Sequence, residues 1–200
     1  SLKKNASIKY IIRLHGGHHF FAEAERRNIN WWKGFQEKKS FKKADAFIAI
    51  SNYVKQHTAK YLSFNNKKII NIKNPIDLEV FHPRPEIKVS ANTILFAGTV
   101  CEKKGIRQLI LAMKKVLELF PEIKLEIYGR DWFFKDGSSY IKFLKSKVIP
   151  TLGAKATNII FKGPVAINEL AKKYASSTLC VFPSLMETQG LVAPEAMAMK

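Results

Sequence analysis

Short apolar segments alternate with longer segments of helical spacing along most of the sequence. In the second half, strand-like runs begin at Thr93, Lys124, Asn158 and Thr178, and a segment long enough for a helix follows each of them. Parallel strands need a crossover of this length, usually a helix, whereas antiparallel strands can be joined by short turns. The alternation therefore predicts an α/β protein with parallel sheets covered by helices on both faces.

The clearest helix is predicted over residues 105–120. Its apolar residues recur at the i, i+3 and i+4 spacing of a buried helix face, and Pro121 follows it. Ser51 is a suitable N-cap for a second helix ending near Leu62. The remaining predicted helices cover residues 31–43, 138–152, 167–176 and 190–200. The predicted strands cover residues 8–14, 46–50, 68–72, 93–97, 124–128, 158–161 and 178–182.

Residues 81–92 interrupt this alternation. The segment contains Pro83 and Pro85 and has no apolar period, so we interpret it as an interdomain linker. Two domains are predicted, residues 1–86 and residues 87–200. Because the sequence starts at Ser1 without a methionine and stops at Lys200 inside a helical pattern, both domains are expected to be truncated.

The formal net charge of +18 is spread along the chain, with +10 in residues 1–86 and +8 in residues 87–200. This distribution excludes a basic arm or tail and favours polyanionic partners such as nucleic acid, anionic lipid or phosphorylated substrates; a merely solvated lysine surface is the alternative. Aromatic and basic residues do not interleave as in a nucleic-acid module, so no nucleic-acid partner is expected.

Two cysteines and a lack of long apolar runs limit the class further. Cys101 and Cys180 are too few and too far apart for a disulfide framework or a metal site, and are expected to be reduced thiols of a cytoplasmic protein. The sequence contains no run of about 18 apolar residues, so it predicts no membrane span.

Functional residues are expected directly after the strands. In open parallel sheets, ligands bind outside the carboxyl ends of the strands. The positions that qualify are His15 and the segments 98–105, 129–131, 163–167 and 184–190.

The segment 183–198 carries the most informative pattern. A polar loop leads to Gly190, which opens a predicted helix, and free amides at a helix start bind anions. Glu187 and Glu195 flank this helix start, and carboxylates accept hydrogen bonds from hydroxyl groups. The pattern suits a ligand with sugar, phosphate and ribose, although either glutamate alone could simply compensate the helix dipole.

The segment 98–105 offers a second anion site. Backbone amides together with Lys103 or Lys104 could hold a diphosphate, but the glycine–lysine spacing is not that of a Walker loop. A solvated lysine pair is the alternative. No Asp-x-Asp occurs in the chain, so a metal-held diphosphate is not predicted.

Histidines and aromatic residues form three further clusters. The spacing of His15, His18 and His19 is poor for zinc, and a single histidine that binds a hydroxyl in a cleft is the preferred interpretation. Trp31-Trp32 and the residues 132–134 are expected to pack under loops; an acceptor platform or an interfacial membrane contact is the alternative.

These motifs together resemble family 4 of the retaining glycosyltransferases. The marks are the run 74–83, the run 94–98, Lys104-Gly105, and two glutamates separated by seven residues, Glu187 and Glu195, with Gly190-Leu191-Val192 between them. The resemblance covers residues 8–200. It implies the GT-B fold of two facing Rossmann-like domains, here the C-terminal part of the acceptor-side domain and a truncated donor-binding domain.

The resemblance also implies roles for single residues. Glu187 would face the transferred sugar, and His15 would lie near the donor sugar and the acceptor. Glu195 would bind the ribose hydroxyls and Lys104 would neutralise the diphosphate. The remaining donor-binding positions would be Gly98, Thr99, Val165 near the base, and the amides of Gly190, Leu191 and Val192. The family commonly has a basic residue where this chain has Thr99, and Lys103 or Arg107 are candidates to replace it.

The implied activity is retaining transfer of a hexosyl unit from a nucleotide-diphosphate sugar to a hydroxyl acceptor. Such enzymes need no metal and no cofactor, since the nucleotide-sugar is a substrate. The acceptor would be a sugar, a lipid-linked or a phosphorylated compound of cell-surface polysaccharide or glycolipid biosynthesis, at the inner face of an anionic membrane. The alternatives are a nucleotide-sugar epimerase of the same fold, a non-catalytic nucleotide-sugar or polyanion-binding module, and a nucleic-acid binder.

Overall fold

The chain folds into two α/β units. The computed structural model describes residues 8–24, 28–62 and 68–199. Contacts divide the chain into Ser1–Pro75 and Ile76–Lys200. Each unit contains a sheet whose strands are all parallel, which confirms the predicted fold class.

The first unit contains a three-stranded sheet of order β1-β2-β3. The strands are β1 (Ile11–Leu14), β2 (Ala46–Ala49) and β3 (Ile69–Asn71). The helices are α1 (His18–Ala24), α2 (Trp31–Lys43) and α3 (Asn52–Leu62). Helix α3 starts as predicted, because the Ser51 hydroxyl accepts a hydrogen bond from the Val54 amide at 3.2 Å.

Helix α1 is not predicted by the sequence patterns. Its N-terminal amides, His18 and His19, donate to the two carboxylate oxygens of Glu37 on α2, at 2.8 and 3.2 Å. Burial alone would raise the pKa of Glu37. The hydrogen bonds from the His19 ring and from these amides lower it by more than burial raises it, so the pKa of Glu37 is below its usual value. The cap of α1 is therefore supplied by a residue 19 positions away, which no local pattern reveals.

The second unit contains a four-stranded sheet of order β6-β5-β4-β7. The strands are β4 (Thr93–Ala97), β5 (Lys124–Tyr128), β6 (Ile159–Gly163) and β7 (Leu179–Cys180). The helices are α4 (Ile106–Leu119), α5 (Tyr140–Phe143), α6 (Ile167–Ser176) and α7 (Val192–Met197), with a 3₁₀ turn at Glu102–Lys104. Helix α7 begins two residues later than predicted, because Gly190 has a φ of 71° and cannot be helical.

Both faces of this sheet are covered, as the alternation along β4 shows. Ile94 and Phe96 join the core formed with α4, whereas Leu95 and Ala97 join the core formed with α6 and α7. Successive side chains of a strand point to opposite faces, so the sheet is the middle of three layers.

The helix predicted over residues 138–152 is broken in the structure. Helix α5 ends at Phe143, a π-helical turn covers Leu144–Val148, and a 3₁₀ segment covers Ile149–Asn158. Pro150 lacks the N–H that a continuous α-helix would need at that position, and Gly153 leaves the helical region with φ 62° and ψ −136°.

The segment predicted to be a linker belongs to the second unit. Phe81 is 1% exposed and packs with Leu95 and Tyr174, and the Ser90 amide donates to the Ser176 carbonyl at 2.8 Å. The boundary follows Pro75, rather than residue 86 as expected. Prolines in this segment mark irregular backbone, not exposure to solvent.

The aromatic clusters are exposed, so the prediction that they pack under loops is wrong. Trp31 and Trp32 are 77% and 50% exposed, and Trp132, Phe133 and Phe134 are 48%, 58% and 40% exposed. In each cluster the rings contact neighbouring rings or cations instead of a covering loop. These side chains are available to a partner.

Cys101 and Cys180 form no disulfide within the described residues, and burial raises the pKa of Cys101. Within the described ranges, no helix is long and apolar enough to cross a lipid bilayer.

Candidate functional site

The order of the strands places a crevice between β4 and β7. The chain runs outward from β4 to β5 and β6, and then returns so that β7 lies on the other side of β4. The loops that follow β4 and β7 therefore lie at the point where the strand order reverses, and ligands of open parallel sheets bind at such a reversal. The segments 98–105 and 184–190, selected from the sequence, both lie at this point.

The two loops touch through their backbones. Gly105 has a φ of 68°, and a Cβ atom on it would lie 1.9 Å from the carbonyl oxygen of Pro183. The Leu185 amide also donates to the Lys103 carbonyl at 2.9 Å. Only glycine fits at position 105, and this close approach brings Lys104 to the loop after β7.

Lys104 and Glu187 form an ion pair between these loops. The Lys104 Nζ donates to Glu187 Oε1, and the Ser184 hydroxyl donates to the same oxygen at 2.8 Å. The side chains are 23% and 30% exposed, so the pair is open to a ligand but partly shielded from water. The sequence suggested both residues separately; the structure brings them together across 83 positions.

Gly190 supports this arrangement from the same loop. A Cβ atom on Gly190 would lie 3.4 Å from Cγ of Glu187, and the φ of 71° is strained for any other residue. Leu191 follows as the residue before α7, and its carbonyl accepts from the Glu195 amide at 2.9 Å. The turn thus places Glu187 and Glu195 on the two sides of the start of α7.

Glu195 has no charge partner among the residues that the structure describes. Burial raises the pKa of its carboxyl group, and among the described residues none donates a hydrogen bond or forms a salt bridge to that carboxylate. Burial and the Glu195 charge also raise the pKa of Tyr174, whose buried hydroxyl finds no partner within the described residues. A half-buried carboxylate without a donor is suited to accept hydrogen bonds from the hydroxyl groups of a ligand.

Gly98 and Thr99 directly follow β4 and contact the loop that follows β5. A Cβ atom on Gly129 would lie 1.8 Å from the Gly98 carbonyl oxygen, and the Val100 amide donates to the Arg130 carbonyl at 2.9 Å. The sequence singled out residues 129–131 only as a strand end. The structure shows that Arg130 lies beside Thr99, a neighbour that the strand-end rule could have indicated.

The other two predicted site residues, Val165 and His15, also follow strands. Val165 is 40% exposed and follows β6, which is two strands from β4. His15 is exposed and directly follows β1 in the first unit. Val165 makes no hydrogen bond or ion pair to Lys104 or Glu187 within the described residues.

The histidines after β1 have separate partners. His18 Nε2 accepts from the Asn30 amide at 3.2 Å, and the buried His19 ring pairs with Glu37 at 2.8 Å. In the part of the chain that the structure describes, no group of three or more potential ligands is arranged to hold a metal ion.

Comparisons with known proteins agree with this geometry. The model of the family described as "Glycosyl transferases group 1" matches residues 91–200, and that of "Glycosyltransferase Family 4" matches residues 1–80. An uncharacterized glycosyltransferase of Methanocaldococcus jannaschii is 39% identical over 105 residues, which are 52% of this chain and 24% of the relative. The D-inositol 3-phosphate glycosyltransferase of Segniliparus rotundus is 28% identical over 163 residues, which are 78% and 35%.

Solved structures show the same fold. Sucrose-phosphate synthase from Thermosynechococcus elongatus aligns with a TM-score of 0.79 at 20% identity, over 98% of this chain and 49% of that one. HepE of Anabaena, solved in complex with UDP-glucose, aligns with a TM-score of 0.72 at 19% identity, over 95% and 51%. These likenesses show the GT-B fold.

The chain spans 24% and 35% of the length of the two curated relatives described above. The group 1 match nevertheless covers the whole sheet of the second unit, including both loops of the candidate site. The chain therefore belongs to the group 1, family 4 glycosyltransferases, which confirms the resemblance in its sequence.

Proposed function

We propose that the protein is a retaining glycosyltransferase that moves a hexosyl unit from a nucleotide-diphosphate sugar to a hydroxyl acceptor. The observation that carries this proposal is the pairing of Lys104 with Glu187 at the strand reversal. Glu195, in the first turn of α7, adds a carboxylate that has no partner among the described residues. One cation and two carboxylates provide for a diphosphate and for two sets of hydroxyl groups. A relative of the same fold that was solved with UDP-glucose supports the donor class.

The Lys104 ammonium has two alternative anionic partners in this proposal. When a donor is bound, Lys104 turns to the diphosphate and stabilises the charge that develops on it as the sugar leaves. Glu187 is then released to accept hydrogen bonds from the transferred sugar. Glu195 accepts hydrogen bonds from the ribose, which removes the cost of its unpaired charge.

The bond changes balance without a cofactor. The bond between the anomeric carbon and the diphosphate oxygen breaks, and the acceptor oxygen bonds to the same face of that carbon. The acceptor proton passes to the leaving phosphate oxygen. Lys104, with the amides of Gly190, Leu191 and Val192, takes the role that a metal ion has in other sugar transferases, so we propose a metal-independent reaction.

The remaining sequence-derived roles are part of the proposal. His15 would act near the acceptor from the first unit, and Val165 would contact the base. Two relatives are named D-inositol 3-phosphate glycosyltransferases, which supports a phosphorylated acceptor. We place the reaction in polysaccharide or glycolipid biosynthesis.

Nucleotide release from a panel of UDP-, GDP- and ADP-sugars tests this function. Release with one donor, reduced at least about tenfold in Glu195→Ala, is expected because a charge-assisted hydrogen bond contributes about 1.5–3 kcal/mol. Glu169→Ala is the matched control, since Glu169 is a carboxylate on the neighbouring α6 and is 52% exposed. The proposal fails if no donor binds by calorimetry and none releases nucleotide.

We also propose that the protein works at an anionic membrane surface, to which α2 binds. Gly34 and Phe41 are the buried residues of α2. Trp32 and Phe35 stack at 6.0 Å on the exposed side, and the Lys39 ammonium lies 6.0 Å from the Phe35 ring. Aromatic rings beside lysines suit the boundary between headgroups and acyl chains, where both can be satisfied.

Vesicle binding tests this second part independently of catalysis. Each lysine near an anionic surface contributes about 1 kcal/mol, so Lys39→Glu with Lys43→Glu should weaken binding to vesicles containing phosphatidylglycerol by about 30-fold or more. The matched control is Lys114→Glu with Lys115→Glu, an exposed pair on α4. Equal binding to phosphatidylcholine vesicles would refute the preference for an anionic surface. Equal loss of binding in both double variants would exclude α2 as the membrane contact.

A further inference from the structure

Arg130 is an exposed cation at the edge of the candidate site. It directly follows Gly129, at which a Cβ atom would lie 1.8 Å from the Gly98 carbonyl oxygen. The register of the strands pairs Ala97 with Tyr128, and an isolated bridge pairs Val100 with Asp131. Thr99 and Arg130 therefore occupy matching positions, and side chains at matching positions of parallel strands leave the sheet edge on the same side.

The guanidinium of Arg130 rests on an aromatic ring instead of a carboxylate. Its Cζ atom lies 6.0 Å from the centre of the Trp132 ring, and the Lys103 ammonium lies 5.9 Å from the same ring. No salt bridge joins Arg130 to a carboxylate among the described residues. A half-exposed indole thus carries two cations, which are attracted to its face but are not neutralised by it.

The loop that presents Trp132 is fixed by its own hydrogen bonds. Asp131 accepts from the amides of Trp132 and Ile141, at 2.8 and 3.0 Å, and from the Ser139 hydroxyl at 2.5 Å. The Tyr140 hydroxyl donates to Glu102, which begins the 3₁₀ turn that ends at Lys104. The loop after β5 and the lysine turn are therefore joined, and the position of Arg130 relative to Lys104 is set in advance.

The nearby carboxylates are already engaged. Glu187 neutralises Lys104, Asp131 holds the loop, and Glu102 accepts from Tyr140. Among the described residues, Arg130 is consequently a cation at this edge that no carboxylate neutralises. A diphosphate needs more positive charge than Lys104 alone supplies, and arginine binds phosphate through two parallel N–H groups.

We propose that Arg130 binds the diphosphate of the nucleotide-sugar donor, and that Trp132 is a positioning residue that holds the guanidinium in place. This inference rests on the proposed function, and it assigns a donor contact to the loop after β5. Arg130 and Lys104 would hold the diphosphate from two adjacent loops, and the half-exposed Trp132 ring would line the path to it.

Calorimetric titration with UDP, GDP and ADP tests the assignment, using whichever diphosphate binds the wild-type protein. Arg130→Ala should weaken that binding by about 10- to 100-fold, the range of a charge-assisted hydrogen bond, and Arg130→Lys should weaken it less. Lys135→Ala, which removes an exposed lysine of the same loop, should have no effect. Thr99→Arg added to Arg130→Ala should recover most of the loss, because the two positions match.

Trp132 has its own readout. In a Trp31→Phe/Trp32→Phe protein, Trp132 is the sole tryptophan, and its fluorescence should change when the diphosphate binds. Trp132→Phe should keep most of the affinity and Trp132→Ala should lose part of it. A merely structural role would predict no fluorescence change and no difference that depends on the ring.

The outcomes separate the sources of the phosphate and the two levels of the proposal. The donor-diphosphate assignment would be overturned if Arg130→Ala weakened binding of the nucleoside as much as binding of its diphosphate. It would also be overturned if Arg130→Ala weakened binding of a phosphorylated acceptor only. Equal affinities of the wild type and Arg130→Ala would overturn it as well, with the proposed function intact. A wild-type protein that binds none of the three diphosphates would refute the proposed function, and this inference with it.

Discussion

Replacing Gly105 with alanine measures how strongly the loops after β4 and β7 depend on each other. The new Cβ would lie 1.9 Å from the Pro183 carbonyl oxygen, where real Cβ contacts are not closer than 3.0 Å, so the backbone must move by about 1.1 Å. A left-handed φ costs alanine about 1–2 kcal/mol, and overpacking typically costs about 1–3 kcal/mol more. The free energy of unfolding should therefore fall by about 2–5 kcal/mol.

Gly163→Ala is the matched control for this change. Gly163 has a similar φ of 75°, but a Cβ atom there would meet nothing within 4 Å. It should lose only the conformational part, about 1–2 kcal/mol. The difference between the two variants isolates the contact with Pro183.

Urea unfolding measures both variants in the second unit. The Trp31→Phe/Trp32→Phe background leaves Trp132 as the fluorophore of that unit, and midpoints are compared where the slope with urea is unchanged. Equal losses in Gly105→Ala and Gly163→Ala would show that the contact carries no free energy. The reasoning about the joined loops would then be wrong.

Two further predictions follow from carboxylates with shifted pKa values. Glu195→Gln should raise the urea midpoint at neutral pH and weaken donor binding, because burial raises the pKa of Glu195 and its charge has no partner among the described residues. A carboxyl group with a raised folded-state pKa destabilises the wild type only while it is charged, so the stabilities of wild type and variant should converge as pH falls. A difference that stays constant with pH would contradict this. Glu37→Gln should destabilise the first unit by about 1.5–3 kcal/mol at neutral pH, since the carboxylate accepts from His18 and His19. The pKa of Glu37 is lowered, so its contribution to the free energy of unfolding is present above the unfolded pKa and is lost as pH falls through the folded pKa. Unfolding followed by circular dichroism measures this, and a stability difference between wild type and variant that stays constant across acid pH would contradict it.

Local patterns in the sequence predict the regular part of the fold. Helix α4 was predicted within one residue at each end, because its buried residues repeat at helical spacing and Pro121 follows closely. Helix α2 was predicted with its observed bounds. In both cases the determinants lie inside or beside the segment itself.

Elements that depend on distant residues could not be predicted in this way. Helix α1 is capped by Glu37 from another helix, and Phe81 is buried by residues far along the chain in a segment whose prolines suggest a linker. The pairing of Lys104 with Glu187 is a property of the strand order, which single segments do not contain. Trp132 was expected to be covered, because aromatic composition alone does not tell an exposed ring from a packed one.

The backbone contacts between the loops after β4 and β7 have a consequence for engineering the protein. Because Gly105 fits against Pro183 and Lys103 accepts from Leu185, each loop has the shape that the other requires. Grafting one of these loops from a relative would bring in a backbone that no longer matches its neighbour. The two segments are therefore a single unit of exchange, and a chimera designed to alter the candidate site should replace both together.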